Sequence, residues 1–219
     1  MTYQAEREQI CQVGKLLYDR GYAAANDGNI SVKVAPDRLL MTPSGVSKGR
    51  MTPDMLLVTD LEGQVIEGDR HPSSEGKMHL AVYRGRPDAG AVVHAHPPVS
   101  TAFAVCRRGL ETPYLAELAA GLGQVPCTPS FAMLSTDEVP DSVAPYLPDH
   151  NALLLANHGA LAWGGDLWEA FDRLETVEHT AKIVFCAERM GGAVPLTEQE
   201  VSRLQGLRGM YRMLREKLR

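Results

Sequence analysis

The run "AVVHAHPPVS", residues 91–100, constrains the fold more than any other stretch. Its apolar start reads as a short buried strand, and Pro97-Pro98 ends that strand because proline cannot donate to a ladder. The helical pattern "VSTAFAVCRR" follows at once. Residues i and i+2 of a strand share a face, so His94 and His96 aim together while Ala95 points away. Two imidazoles so placed either hydrogen-bond as core histidines at a strand end or share one metal ion at roughly 2.0–2.1 Å per bond.

Around this strand, helical and extended patterns mix. Ile10, Val13, Leu16 and Leu17 mark one face of a helix over residues 2–20, stopped by Gly21. "NISVKV" and "RLLMT" read as strands, and "MLLVTDLEGQVIEG" as a hairpin turning near Gly63. "SSEGKMHLAVYRGRP" predicts a short helix with a serine cap, ended by Pro87. "HNALLLANHGALAWG" holds two apolar runs broken by Asn157-His158-Gly159. Asp166 is placed to cap a helix running to Met190. Thr197 and Glu200 form a capping-box pattern before a last helix, about 197–217.

There is no regular βαβ alternation and no GxGxxG opening a helix, which argues against a nucleotide-binding doubly wound sheet. The expected fold is one α/β domain over residues 1–219, with a largely antiparallel sheet.

Composition narrows the class. With 44% hydrophobic and 22% charged residues in 219, the chain suits one globular domain that buries roughly 70% of its unfolded surface. The net charge of -5 and the lack of a basic stripe argue against nucleic acid as partner. The first residues lack a secretory signal, and no apolar run nears the ~20 residues that span a bilayer. A cytoplasmic protein is expected, with Cys11, Cys106, Cys127 and Cys186 reduced and mostly buried.

His158, in "ANHGAL", adds a third imidazole at a strand end. Three neutral imidazoles leave a position on a metal open for water or substrate. Glu75, in the first turn of the "SSEGKMHL" helix, is either a proton-transfer carboxylate or a residue with a local role. "DGNIS", "TPSG" and "PSS" offer backbone amides and hydroxyls for an oxyanion, with Ser73 and Ser74 at a helix N-terminus. Lys48, Arg50 and Lys77 are expected to be solvated surface charges.

Taken in order, "GNIS", "TPSG", "PSSE", "HAHPP" and "NHGAL" resemble the class II aldolase/adducin family over about residues 6–190. Within it the likeness is to L-fuculose-1-phosphate aldolase and related bacterial sugar-phosphate aldolases. The resemblance implies a three-layer α/β/α domain and a homotetramer with active sites between subunits, the C-terminal helix at an interface. It implies Zn2+ on His94, His96 and His158, with Mn2+ or Co2+ as substitutes. Glu75 would be the catalytic acid/base and a further ligand when substrate is absent. Gly28, Asn29, Ser44, Gly45, Ser73 and Ser74 would bind the phosphate of dihydroxyacetone phosphate. A tyrosine from a neighbouring subunit would serve the aldehyde oxygen. Tyr114 lies there, one residue before Leu115, the position that an ungapped count from Pro126-Cys127 gives.

The implied reaction is reversible cleavage of a 1-phosphoketose to dihydroxyacetone phosphate and an aldehyde. Fuculose 1-phosphate, 5-deoxyribulose 1-phosphate and methylthioribulose 1-phosphate are the expected substrates. Relatives also dehydrate methylthioribulose 1-phosphate, epimerise pentulose phosphates at C4 or decarboxylate oxo-acid phosphates. The epimerases usually carry aspartate where this chain has Glu75. Adducin itself is a non-catalytic binding protein, which has no need of a full histidine triad.

Overall fold

One sheet of seven strands, every neighbouring pair antiparallel, organises residues 2–206, which the computed structural model describes. In chain order the main elements are α1 (Gln4–Asp19), β1 (Asn29–Ala35), β2 (Arg38–Met41), β3 (Leu57–Thr59), β4 (Val65–Glu67) and α2 (Gly76–Gly85). There follow β5 (Ala91–Ala95), α3 (Pro98–Val105), α4 (Ala116–Ala120), α5 (Glu138–Val143), β6 (Ala152–Leu155), β7 (Gly159–Gly164) and α6 (Leu167–Arg189). The sheet order is β4-β3-β2-β1-β5-β7-β6, so the histidine-bearing strand β5 is central.

Period-two alternation divides the sheet between two cores. Ile30, Val93, Ala95, Ala160 and Ala162 face the layer of α1, α3 and α6, where Ile10, Phe103, Phe171 and Val177 pack. Leu39, Val92, Leu161 and Trp163 face the layer of α2 and α5, with Met78, Val82, Val139 and Val143. The result is three layers, α/β/α. Each fully buried aliphatic side chain stabilises by roughly 1.5–3 kcal/mol, so these two layers hold a strand as short as β3, whereas the exposed β4 rests on its ladder with β3.

Several expected ends recur. Asp166 accepts the Glu169 N–H at 2.8 Å at the start of α6. Thr197 and Glu200 exchange both capping-box bonds, at 3.3 and 2.8 Å, and residues 198–206 are helical. The rest of the helix expected to 217 lies outside the described residues.

Three expectations need correction. Helix α2 begins at Gly76 with Glu75 in the cap position, so Ser73 and Ser74 precede the helix rather than open it. A bridge between Pro43 and Pro72 holds that approach extended. Cys106 and Cys186 are exposed, and Cys11 and Cys127 half-buried, because they fall at the end of α3, on the outer side of α6, and at core margins. Burial pushes the Cys11 and Cys127 thiols up to about 11, which keeps them protonated. Lys48, expected in solvent, is 2% exposed. Among the described residues no helix is long and apolar enough to cross a membrane.

Candidate metal centre and active site

Strand register assembles the centre. In β5, His94 lies opposite Asn29 of β1 on one side and Leu161 of β7 on the other. His96 stands one residue past the strand, its N–H donated to the Tyr22 carbonyl at 2.8 Å. His158 occupies the turn between β6 and β7, after Asn157 in the left-handed region (φ 56). The turn can approach because residue 159 is glycine. A Cβ there would meet the Ala95 oxygen and His96 Cδ2 at 2.6 Å and His94 Cε1 at 3.1 Å.

The three rings converge, with metal-capable atoms all within 4.8 Å of one another. His94 donates Nδ1–H to the Ala160 carbonyl at 2.9 Å, which leaves its Nε2 lone pair facing His96 Nε2 at 3.1 Å. His96 Nδ1 in turn faces the Asp27 carboxylate at 3.4 Å. Burial holds His94 well below the ordinary histidine value and lowers His96 too, keeping both in the neutral, ligating form. An outer carbonyl or carboxylate that fixes the tautomer is the usual surrounding of a metal-binding histidine.

Glu75 closes the ring of donors. Its Oε2 lies 3.5 Å from His94 Nε2, and its Oε1 lies 2.8 Å from His158 Nε2. Oε1 is fully buried there, with the His158 nitrogen close but out of hydrogen-bond alignment. A buried anionic oxygen packed against imidazole nitrogens fits a bound cation: these donors repel one another unless positive charge lies between them. Burial pushes the Glu75 carboxyl up, but positive charge at His94 and His158, whose place a bound cation would take, together with the Asn29 amide outweighs it and holds the group well below the usual carboxylate range. The donor set therefore suits a divalent ion with a carboxylate beside it.

The expected anion-binding segments lie close to Glu75. Ser44 donates its N–H to the His71 carbonyl at 2.9 Å, and the Pro43–Pro72 bridge places "TPSG" beside "PSS". Ser44, Gly45 and Ser74 are exposed, while Ser73 Oγ accepts the Glu75 N–H at 3.3 Å. Gly28 runs against β5 with φ +75, and a Cβ there would sit 2.8 Å from the His94 oxygen. Lys48 ties the segments together, donating to the Asn26 carbonyl at 3.1 Å and the Val46 carbonyl at 2.5 Å. Its charge is internal, whereas Arg50 and Lys77 are exposed as expected, Lys77 paired with Asp137.

Two residues have surroundings that the sequence does not show. The Asn29 side chain is 3% exposed and donates Nδ2–H to Glu75 Oε2 at 2.7 Å, so it serves the carboxylate. Tyr114 packs with Leu115 against the α1/α3/α6 core, and none of the contacts of the histidine centre described above includes it. Sequence reasoning missed Lys48, His79, Ser31 and Tyr83. The signal for the last three was spacing: Glu75, His79 and Tyr83 at i, i+4, i+8 and Asn29 with Ser31 at i, i+2.

Known proteins match this chain over most of their length. A 3-oxo-tetronate 4-phosphate decarboxylase of Haemophilus influenzae is 34% identical over 94% of this chain and 98% of its own. A 5-deoxy-D-ribulose 1-phosphate aldolase of Bacillus thuringiensis serovar kurstaki is 35% identical over 93% and 95%. The solved structure of an L-fuculose 1-phosphate aldolase superposes with a TM-score of 0.87 at 32% identity, covering 94% of this chain and 97% of that one. The family model for the Class II Aldolase and Adducin N-terminal domain matches residues 8–185, and with the histidine centre inside that span the chain belongs to this family.

Proposed function

We propose that this class II lyase cleaves a phosphorylated ketose to dihydroxyacetone phosphate and an aldehyde, using Zn2+ held by His94, His96 and His158. The observation that carries the reading is the convergence of three imidazoles, with ligand atoms within 4.8 Å of one another, around the buried Glu75 carboxylate. Zinc suits three nitrogen ligands with one position left open, and Mn2+ or Co2+ would substitute. Bound there, the ion supplies Lewis acidity toward negative charge on substrate oxygens.

The remaining steps belong to the chain. Gly28, Ser44, Gly45, Ser73 and Ser74 hold the phosphate, with Asn29 serving mainly to orient Glu75. In the synthetic direction ionised Glu75 takes a proton from C3 of dihydroxyacetone phosphate. The resulting electron pair forms the bond to the aldehyde carbon, and the Tyr114 phenol of a neighbouring copy protonates the aldehyde oxygen. Cleavage reverses both transfers.

A second reading rests on the decarboxylase-named relatives. A 3-oxo-tetronate 4-phosphate that loses carbon dioxide and takes a proton at C2 leaves the same dihydroxyacetone phosphate. Both reactions put an electron pair on the carbon beside the ketone, where Glu75 delivers the proton. They differ in the departing half, aldehyde or carbon dioxide, and only the aldehyde needs a proton donor such as Tyr114.

The test supplies zinc-loaded protein with fuculose 1-phosphate, 5-deoxyribulose 1-phosphate, methylthioribulose 1-phosphate and 3-oxo-tetronate 4-phosphate, and follows both co-products. Aldehyde together with dihydroxyacetone phosphate supports the aldolase, and carbon dioxide the decarboxylase. Dehydrated or epimerised product without C–C cleavage sinks both. Glu75→Gln should lower turnover by roughly 10²–10⁴-fold while zinc stays bound.

A further inference from the structure

Behind Glu75 runs a line of buried polar groups away from the substrate. Helix α2 presents Glu75, His79 and Tyr83 one turn apart, and β1 presents Asn29 and Ser31 on the face beneath. His79 and Ser31 have no solvent exposure, Asn29 has 3% and Tyr83 has 7%. His79 Nε2 lies 2.5 Å from Asn29 Oδ1, and its Nδ1 lies 2.6 Å from Ser31 Oγ, which is 2.9 Å from the Tyr83 hydroxyl.

Only one arrangement of protons satisfies the whole line. Glu75 is ionised and only accepts, so the Asn29 NH2 faces it and the Asn29 carbonyl faces His79. That carbonyl accepts from His79 Nε2–H. Neutral His79 then accepts at Nδ1 from the Ser31 hydroxyl, and Ser31 accepts from Tyr83. Burial lowers His79 to about 4, in keeping with a neutral ring. A flipped Asn29 would set oxygen against oxygen at Glu75 and force His79 into its other tautomer, turning the Ser31 and Tyr83 hydroxyls with it. The clash at Glu75 is not relieved where water is excluded, and the tautomer set by His79 opposes the flip from the other end.

We propose that His79 is a positioning residue that locks the Asn29 amide with its NH2 toward Glu75, fixing one carboxylate oxygen and leaving the other for metal and substrate. This rests on the proposed role of Glu75, yet it is readable in zinc affinity as well as in turnover.

Two substitutions separate positioning from packing. Glutamine at 79 sets an amide N–H near the place of imidazole Nε2, and asparagine sets its amide near Nδ1. His79→Gln should keep zinc Kd, measured by competition with a chromophoric chelator, and kcat within about threefold of the parent. His79→Asn should weaken zinc binding and lower kcat by roughly 10–100-fold with little change in KM. In an Asn29→Ala background, His79→Asn should add nothing further.

Equal effects of the two substitutions, or effects that multiply in the Asn29→Ala background, would overturn the proposal. Should His79→Asn not fold, isosteric Asn29→Asp tests the other end of the line: it keeps the acceptor for His79 and removes the donor to Glu75. The proposal requires at least about a tenfold loss there, and unchanged zinc affinity overturns it. A protein that binds zinc yet cleaves no phosphorylated substrate sinks the reaction reading alone, and the zinc affinities still decide on His79.

Discussion

Lys48 shows what one misplaced charge costs and what it gains. Its ammonium lies inside the fold, joining the carbonyls of Asn26 and Val46 and so drawing together the segments that carry Gly28 and Gly45. Burial pushes it down to about 8, while an unfolded lysine keeps its proton to about 10.5. Between those values the unfolded chain binds more protons, so stability rises with pH. Below about pH 8 the buried charge therefore opposes folding by about 3 kcal/mol, and the penalty fades toward pH 10.5. Lys48→Met removes the titrating group. Urea unfolding of both proteins across this range should show the parent gaining about 3 kcal/mol relative to the variant. A flat difference would mean that folded Lys48 holds its proton as tightly as an unfolded one.

At the scale of elements, β7 can lie against β5 at the histidines only because Gly159 has no side chain. In Gly159→Ala the new methyl meets a backbone oxygen at 2.6 Å that cannot rotate away, so β7 must shift and carry His158 with it. Overpacking of this kind costs about 1–3 kcal/mol, and zinc affinity should fall by roughly tenfold or more in the same chelator competition. Parental affinity in this variant would show that the turn moves freely. The elements themselves were largely legible, because β1, the β3–β4 hairpin, the Asp166 cap and the capping box at Thr197 are written in local spacing. The histidine triad and Glu75 were legible too, as residue types that converge when strands end together. Sheet order was not: β5 between β1 and β7 is a long-range outcome that no window of sequence contains. Lys48 and His79 escaped for the same reason. Burial and partners 22 and 50 residues away, not residue type, give them their roles.

The whole molecule carries an asymmetry that a single copy does not resolve. Glu75 caps α2 on one side of the sheet, whereas Tyr114 packs into the α1/α3/α6 layer on the other. Phe131, Met133 and Leu134 stand exposed ahead of α5, and Ile183 and Phe185 along α6, apolar surface of the kind an assembly covers. The proposed aldolase needs Tyr114 from a neighbour, which makes the active site a property of the oligomer. Light scattering should then give about four times the chain mass of 23.9 kDa. Glu75→Gln and Tyr114→Phe proteins, each impaired alone, should regain activity when refolded together. With one-to-one random mixing, about a quarter of sites pair an intact Glu75 with an intact neighbouring Tyr114, so about a quarter of parental turnover should return. Recovery at that level requires the two residues to act across a subunit boundary. Its absence, with mixed oligomers verified by mass, would place both residues in one subunit or remove Tyr114 from the reaction, which is also what the decarboxylase reading requires.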